Sequence, residues 1–396
     1  MKPLKIICGL VCLLLLASQV WSMLHWNEAR GVYDDICYLR QAHLFQRFGL
    51  GGFDTDISRD DDRYLAGKRK EIGYAENQLP PCHTPMPRAN KLVIQYPPGT
   101  GMVLALFPQG HQVVPLFVSA TIVVFGFAVL GIFHARTTLS ILRTTAFGCL
   151  AIYIMINPVK ASYSMAPTMV ICAVLGYLTA RLFAGPQWSS RIWLITLLGF
   201  LLGLSVNFRL PNLFLSAGYF LFFLVSFLST RKLALAARGI GFGVAFVIGM
   251  APTLIANAIN AGNPFVTTYG GQDLAPPDLS FAIITQYLGD MQFVLLLLAG
   301  TSIVVVLLTR EESGVRRVAL VTAVNLAVNL AFFLSHPLFT PYYTIPIAML
   351  SLWSVSFARW GRWNWWTNAL PDRPPMYDHD MQAAESARFH QRTFSR

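Results

Sequence analysis

Apolar runs about 20 residues long, enough to cross a bilayer core, recur along almost the whole chain. They fall near 4–24, 112–134, 139–156, 164–183, 191–208, 210–229, 239–259, 290–309, 317–335 and 341–359. None has a charge near its middle, where one would cost about 2.5–3.5 kcal/mol on insertion. The pattern predicts an all-α integral membrane protein with about ten transmembrane helices. Residues 1–360 form the polytopic domain in this scheme. A cytoplasmic tail, 361–396, mixes both charge signs with few apolar residues, which predicts disorder.

Between the first two runs lies the one long polar stretch, 27–91. Within it Ile36, Leu39, Phe45 and Phe48 make a helical stripe against Arg40, Gln41, Gln46 and Arg47. That predicts a short amphipathic helix lying in the membrane interface, ended by Gly49, Gly51 and Gly52. Residues 54–70 are dense in charge and predict a solvated loop, and Pro80, Pro81, Pro85 and Pro87 an extended segment. Gln95-Tyr96-Pro97-Pro98-Gly99-Thr100-Gly101 then returns the chain to the membrane through a proline-started helix. A second polar loop spans about 260–278, and Trp360, Trp363, Trp365 and Trp366 make an interfacial aromatic belt. No internal repeat is visible.

Composition agrees with a chain mostly in lipid: 55% of its 396 residues are hydrophobic and 12% charged, against roughly 25% charged in soluble proteins. The net charge of +11 does not point to nucleic acid, because the basic residues are distributed by loop. Lys2 and Lys5 precede the first run. Arg136 with Arg143, Arg181 with Arg191, Arg231 with Lys232 and Arg238, Arg310 with Arg316 and Arg317, and Arg359 with Arg362 occupy alternate connections. This positive-inside pattern predicts an inner-membrane protein with both termini in the cytoplasm and the long loop outside. Lys2 and Lys5 followed by a run ending near Ala17, Ser18 and Ser22 also suggest a cleaved signal peptide, but Trp21 suits a cleavage site poorly and a retained span fits better. Cys8, Cys12, Cys149 and Cys172 fall in the runs and read as small apolar residues. Cys37 and Cys82 share the outer loop and are either a disulfide or two free thiols. No Cys/His spacing resembles a zinc site.

Asp34 and Asp35 stand at the start of the interfacial helix. Helix capping and the helix dipole would account for them. An ionised aspartate at a membrane face can also act as general base toward an acceptor hydroxyl. Arg209, in Asn207-Phe208-Arg209-Leu210-Pro211-Asn212, violates the inside bias, and Lys160 is the other base in the short outer loops. Such residues either snorkel to lipid phosphates or recognise a substrate phosphate through charge-assisted bonds. Asp54, Asp56 and Asp60 to Asp62, flanked by Arg59, Arg63, Lys68 and Lys70, read as solvated charges rather than metal ligands. His336, at an outer span end, reads as an interfacial histidine or a substrate contact. Asn325 and Asn329, one turn apart, are expected to hydrogen-bond neighbouring helices.

In their order along the chain these elements resemble the GT-C superfamily of polytopic glycosyltransferases, which includes the protein O-mannosyltransferases and the aminoarabinose transferases of lipid A. The likeness lies in the first span, then Asp34-Asp35-Ile36-Cys37-Tyr38-Leu39, then Tyr96-Pro97-Pro98-Gly99, then Gly262-Asn263-Pro264-Phe265 and Tyr269-Gly270. It implies a polyprenyl-phosphate-linked sugar as donor and an inverting transfer to a hydroxyl of a lipid, glycan or protein acceptor at the extracytoplasmic face. Asp34, assisted by Asp35, would take the acceptor proton. Arg209 and Lys160 would stabilise the departing polyprenyl phosphate, with Tyr96, Tyr269 and His336 contacting substrate. No cofactor is required, no metal ligand is assigned, and the scheme neither needs nor forbids a divalent ion. Membrane lipids are the expected surroundings and nucleic acid is not an expected partner.

The chain departs from the family pattern in two places. Thr340-Pro341-Tyr342-Tyr343 stands where members often carry an Arg-Tyr pair, and the second acid of the family's site has no secure match, Asp273 and Asp278 being candidates. The main alternative is a membrane transporter or lipid flippase for a cell-envelope precursor. Such proteins place ionisable or unwound elements near the midplane and often show paired repeats, neither of which the sequence displays. A polysaccharide polymerase or ligase would carry its bases in a large late loop, whereas here the largest loop comes first.

Overall fold

The computed structural model describes residues 1–26, 35–74, 79–156, 162–185, 188–270, 276–336, 338–340 and 342–360. Asp34, Lys160, Asp273 and the tail 361–396 lie outside the described residues. The chain begins with α1 (Lys2–Leu24) and the loop helices α2 (Asp35–Phe48) and α3 (Tyr64–Glu71). A hairpin of β1 (His83–Met86) and β2 (Lys91–Ile94) leads into α4 (Gly99–Leu104). Then come α5 (Val113–His134), α6 (Thr138–Ile154), α7 (Met165–Phe183), α8 (Ile192–Val206) and α9 (Ala217–Thr230). The last are α10 (Leu233–Gly249), α11 (Ala251–Ala261), α12 (Phe281–Leu288), α13 (Met291–Leu308), α14 (Ser313–Ser335) and α15 (Ile345–Trp360).

The architecture is that of an all-α, multi-pass membrane protein, with fewer full-length spans than the apolar runs predict. Among the described residues six helices are long and apolar enough to cross a bilayer: α1, α5, α7, α9 with its preceding 3-10 segment, α13 and α14. The count is seven if α10 and α11, bent by 53° at a break, make one span. The apolar helices α6, α8 and α15 are shorter. The expectation of ten fails because composition does not mark where a helix stops. The run 191–208 gives up its last residues to a turn at Asn207, and in the run 341–359 residues 342–344 form a turn ahead of the helix start at Ile345.

The turn between α8 and α9 is tied to three other elements by Asn207. Its Nδ2 donates to the Gly249 carbonyl at 2.7 Å, and its Oδ1 accepts from the Thr253 N–H at 2.9 Å and hydroxyl at 2.8 Å. These are groups freed at the α10/α11 elbow, where Pro252 in the first turn of α11 cannot continue the helical ladder. The Asn207 carbonyl takes the Gly99 N–H at 2.7 Å and so fixes the start of α4. A Cβ on Gly99 would fall 2.7 Å from that same oxygen, so the approach requires glycine. Asn212 completes the turn, donating from Nδ2 to the Ser205 carbonyl at 2.8 Å and to Thr168 Oγ1 at 3.1 Å on α7. On α14, Asn325 accepts from the Gly218 N–H and Asn329 donates to the Phe214 carbonyl, as helix-bridging asparagines are expected to.

The short helix expected after residue 34 is present as α2, and the segment expected to be a solvated loop behind it is ordered against it in a small layer. α2 is amphipathic in sequence, but Arg40 and Gln41 on its polar side are fully buried, Arg40 against the 55–56 backbone and His83 and Gln41 against Tyr96 and Gly101 of α4. The charge-dense segment pairs with the elements on either side of it: Arg47 of α2 binds Asp61, His43 of α2 lies 2.6 Å from Asp62, and Lys91 of β2 lies 3.0 Å from Asp54. Local opposite charges thus supply the order that its polarity hides. The proline segment becomes β1, with Pro85 opposite Leu92 in the antiparallel pair. Cys37 and Cys82 form a disulfide, which clips the hairpin to the first turn of α2. Asn260 on α11 fastens the layer to the bundle, accepting from the Thr55 N–H at 3.0 Å and donating to the Phe53 carbonyl at 2.8 Å.

Candidate functional site

A cavity of about 390 Å³ lies where these elements meet. Its wall takes Tyr38 from α2, Gln95 and Tyr96 from the segment before α4, and Ser162 and Ser164 from the approach to α7. Arg209 and Pro211 come from the Asn207 turn, Tyr269 and Gly270 from the loop after α11, and Thr340, Tyr342 and Tyr343 from the approach to α15. Segments far apart in sequence converge here because buried polar side chains hold them. Gln41 Nε2 donates to the Tyr96 carbonyl at 2.8 Å. Gln292, fully buried on α13, accepts from the Thr344 N–H at 2.8 Å and donates to the Thr340 carbonyl at 3.0 Å. The Thr268 hydroxyl donates to the Gln95 carbonyl at 3.0 Å, which places Tyr269.

Arg209 is the one charged side chain in the wall, and it is 6% exposed. Its guanidinium carbon stands 4.7 Å from the Tyr342 ring centre and 5.3 Å from that of Tyr343, and Nη1 contacts Met165 Sδ at 3.0 Å. Among the described residues no carboxylate pairs with it. The tyrosine faces offset part of the desolvation cost of a buried cation, and an anion in the cavity would offset the rest through bidentate hydrogen bonds. Opposite in chemistry is Asp35, the first residue of α2 and 2% exposed. Its Oδ1 accepts from Ser162 Oγ at 3.1 Å and from the Tyr163 N–H at 3.0 Å. Asp35 is therefore one hydroxyl away from the cavity wall.

The sequence-predicted residues separate as follows. Arg209, Tyr96 and Tyr269 share the cavity. Tyr96 stacks on Tyr38 with centres 5.1 Å apart and meets Tyr269 edge-on at 5.8 Å. Asp35 lies behind the wall. His336 is buried at the end of α14, stacked on Phe332 at 5.5 Å, and is not among the cavity residues. Asp278 is exposed and is not among the cavity residues. Sequence reasoning missed Ser162, Ser164 and Gln292 altogether. It noted Tyr342 and Tyr343 only as a departure from a family pattern, although paired tyrosines are what a buried guanidinium packs against.

Beneath α2 the buried Arg40 is held by acceptors alone. It donates to the carbonyls of Thr55 at 3.0 Å and Asp56 at 2.8 Å, and to His83 Nε2 at 2.6 Å. Nε2 must then carry a lone pair, and Nδ1 donates its hydrogen to the Pro81 carbonyl at 2.8 Å. Burial and the neighbouring Arg40 charge push the His83 imidazole down from 6.5 to about 4. Because the folded value lies below the unfolded one, the unfolded chain binds the proton first as the pH falls. Stability present above pH 6.5 is lost between there and about pH 4, by about 3 kcal/mol in total. Proteolytic nicking of the hairpin in the full-length protein is expected to accelerate over that range and much less so in His83→Gln. Parallel pH profiles for the two proteins would reject the assignment.

Among the described residues, the group that could hold a metal ion is Cys37, Cys82 and His83, but both sulfurs are committed to the disulfide. No family model, no curated protein and no solved structure matches the chain.

Proposed function

We propose that this protein is a membrane glycosyltransferase that moves a sugar from a polyprenyl-phosphate donor to an acceptor hydroxyl, with inversion, at the extracytoplasmic face of the inner membrane. The observation behind the proposal is Arg209: a buried cation facing a cavity, with tyrosine faces around it and no acid partner among the described residues. Such a group suits a phosphate whose charge grows as the sugar departs. Stacked and edge-on tyrosines are surfaces on which a sugar ring can lie. Asp35, beyond Ser162, is an acid-base group at the same wall, and Asp34 precedes it in the chain.

A transporter draws some support from the elbow between α10 and α11, since discontinuous helices hold substrates in transporters. Here the groups freed at the elbow are bonded to Asn207 rather than turned to a ligand. The discriminating experiment supplies membrane vesicles holding the full-length protein with a panel of polyprenyl-phosphate sugars labelled in the sugar. Label passing into a product distinct from donor and free sugar supports transfer. Translocation of the labelled lipid across the vesicle membrane with no such product would favour the transporter and reject the enzyme.

A further inference from the structure

We propose that Ser164 and Ser162 form a proton relay from the cavity to Asp35, so that Ser164, rather than a carboxylate, is the group that touches the acceptor hydroxyl. This rests on the glycosyl transfer proposed for the same cavity. Ser162 and Ser164 line the cavity and Asp35 does not. Ser162 Oγ donates to Asp35 Oδ1 at 3.1 Å, and Ser164 Oγ lies 3.1 Å from Ser162 Oγ. A hydroxyl has one hydrogen. That of Ser162 is committed to the carboxylate, so the contact between the two serines requires Ser164 to donate. The direction of the chain is fixed, and the lone pairs of Ser164 remain for a hydroxyl in the cavity.

Local helix bonding does not account for the position of the Ser164 hydroxyl. Buried hydroxyls in apolar helices usually return to a carbonyl one turn back, as Thr168, Ser351 and Ser354 do here. Ser164 is the N-cap residue of α7, where a serine ordinarily accepts from an amide of the first turn. It makes no such cap bond. Ser164 forgoes the local option, and its contact runs through Ser162 to a buried acid.

In the proposed step the acceptor oxygen forms its bond to the anomeric carbon as the bond from that carbon to the phosphate oxygen breaks. The bonding pair leaves with polyprenyl phosphate, whose added charge faces Arg209. The acceptor proton passes to Ser164 Oγ, the Ser164 proton to Ser162 Oγ, and the Ser162 proton to Asp35. Both serines end as hydroxyls, and Asp35 ends as the neutral acid.

The test uses vesicles holding the full-length protein and the same labelled polyprenyl-phosphate sugars, with binding of polyprenyl phosphate measured in parallel. Ser162→Ala and Ser164→Ala are each expected to lower kcat by about 10²-fold, with the donor KM and polyprenyl phosphate binding within about twofold of wild type. The double variant is expected to be no worse than either single one, since a relay fails as a unit. Ser162→Thr, which keeps the hydroxyl, is expected to restore most of the rate. Should Ser162→Ala not accumulate as folded protein, Ser164→Ala and Ser162→Thr decide the matter alone. Wild-type kcat in the alanine variants, or losses confined to KM, would overturn the relay while leaving glycosyl transfer intact. Absence of transfer by the wild-type protein from every donor would overturn both.

Discussion

Arg209→Ala is expected to weaken binding of polyprenyl phosphate by about 30- to 1000-fold. Removing one member of a buried, hydrogen-bonded charge pair costs about 2–4 kcal/mol, and Arg209 is the one charged group in the wall. Its setting makes the prediction sharper than for a surface arginine. The guanidinium is nearly enclosed, so salt and water screen little of its field. Arg209→Lys keeps the charge but loses the flat face that packs on Tyr342 and Tyr343, and is expected to fall between, at about tenfold. The measurement is binding of polyprenyl phosphate to purified protein, with the uncharged polyprenol as control. Equal weakening toward the alcohol and the phosphate would assign the loss to packing. Unchanged affinity for the phosphate would remove Arg209 from the proposed donor site.

Asp35→Asn is expected to lower the rate of sugar transfer by about 10²- to 10⁴-fold, the range for loss of a general base. Asparagine keeps the shape, and its Oδ1 still accepts from the Ser162 hydroxyl and the Tyr163 N–H. The fold should therefore persist and the loss should report the missing proton acceptor. Single-turnover transfer with donor prebound isolates that step from binding. Asp34→Asn, measured beside it, divides the work between the neighbours. A dead Asp34→Asn together with a near-normal Asp35→Asn would make Asp34 the base and reduce Asp35 to an anchor for the 162–163 segment. Near-normal rates in both would leave the cavity without its proposed base.

The helical, membrane-spanning character of the chain was legible because it rests on long runs of apolar residues, which report solvent rather than geometry. The number of full spans was not, since runs such as 191–208 carry apolar residues past the end of a helix into a turn. Arg209 stood out because it broke a charge rule, and Tyr96 and Tyr269 because they sat in short patterned strings. Ser162, Ser164 and Gln292 gave no signal. Serine and glutamine are common, and their importance comes from which oxygen or amide they face after folding. The order in 54–70 was hidden for a related reason. A segment rich in Asp, Arg and Lys reads as solvated whether its charges meet water or partners elsewhere in the chain, and only the fold brings Arg47 to Asp61 and Lys91 to Asp54.

Asn207 never touches the cavity wall, yet it fastens the elbow, the start of α4 and the turn that carries the guanidinium. In an unbiased screen for inactive alleles, lesions there would masquerade as failures of the proposed donor capture. Mapping tolerance at this position would therefore show how far the machinery of recognition extends beyond its visible contacts.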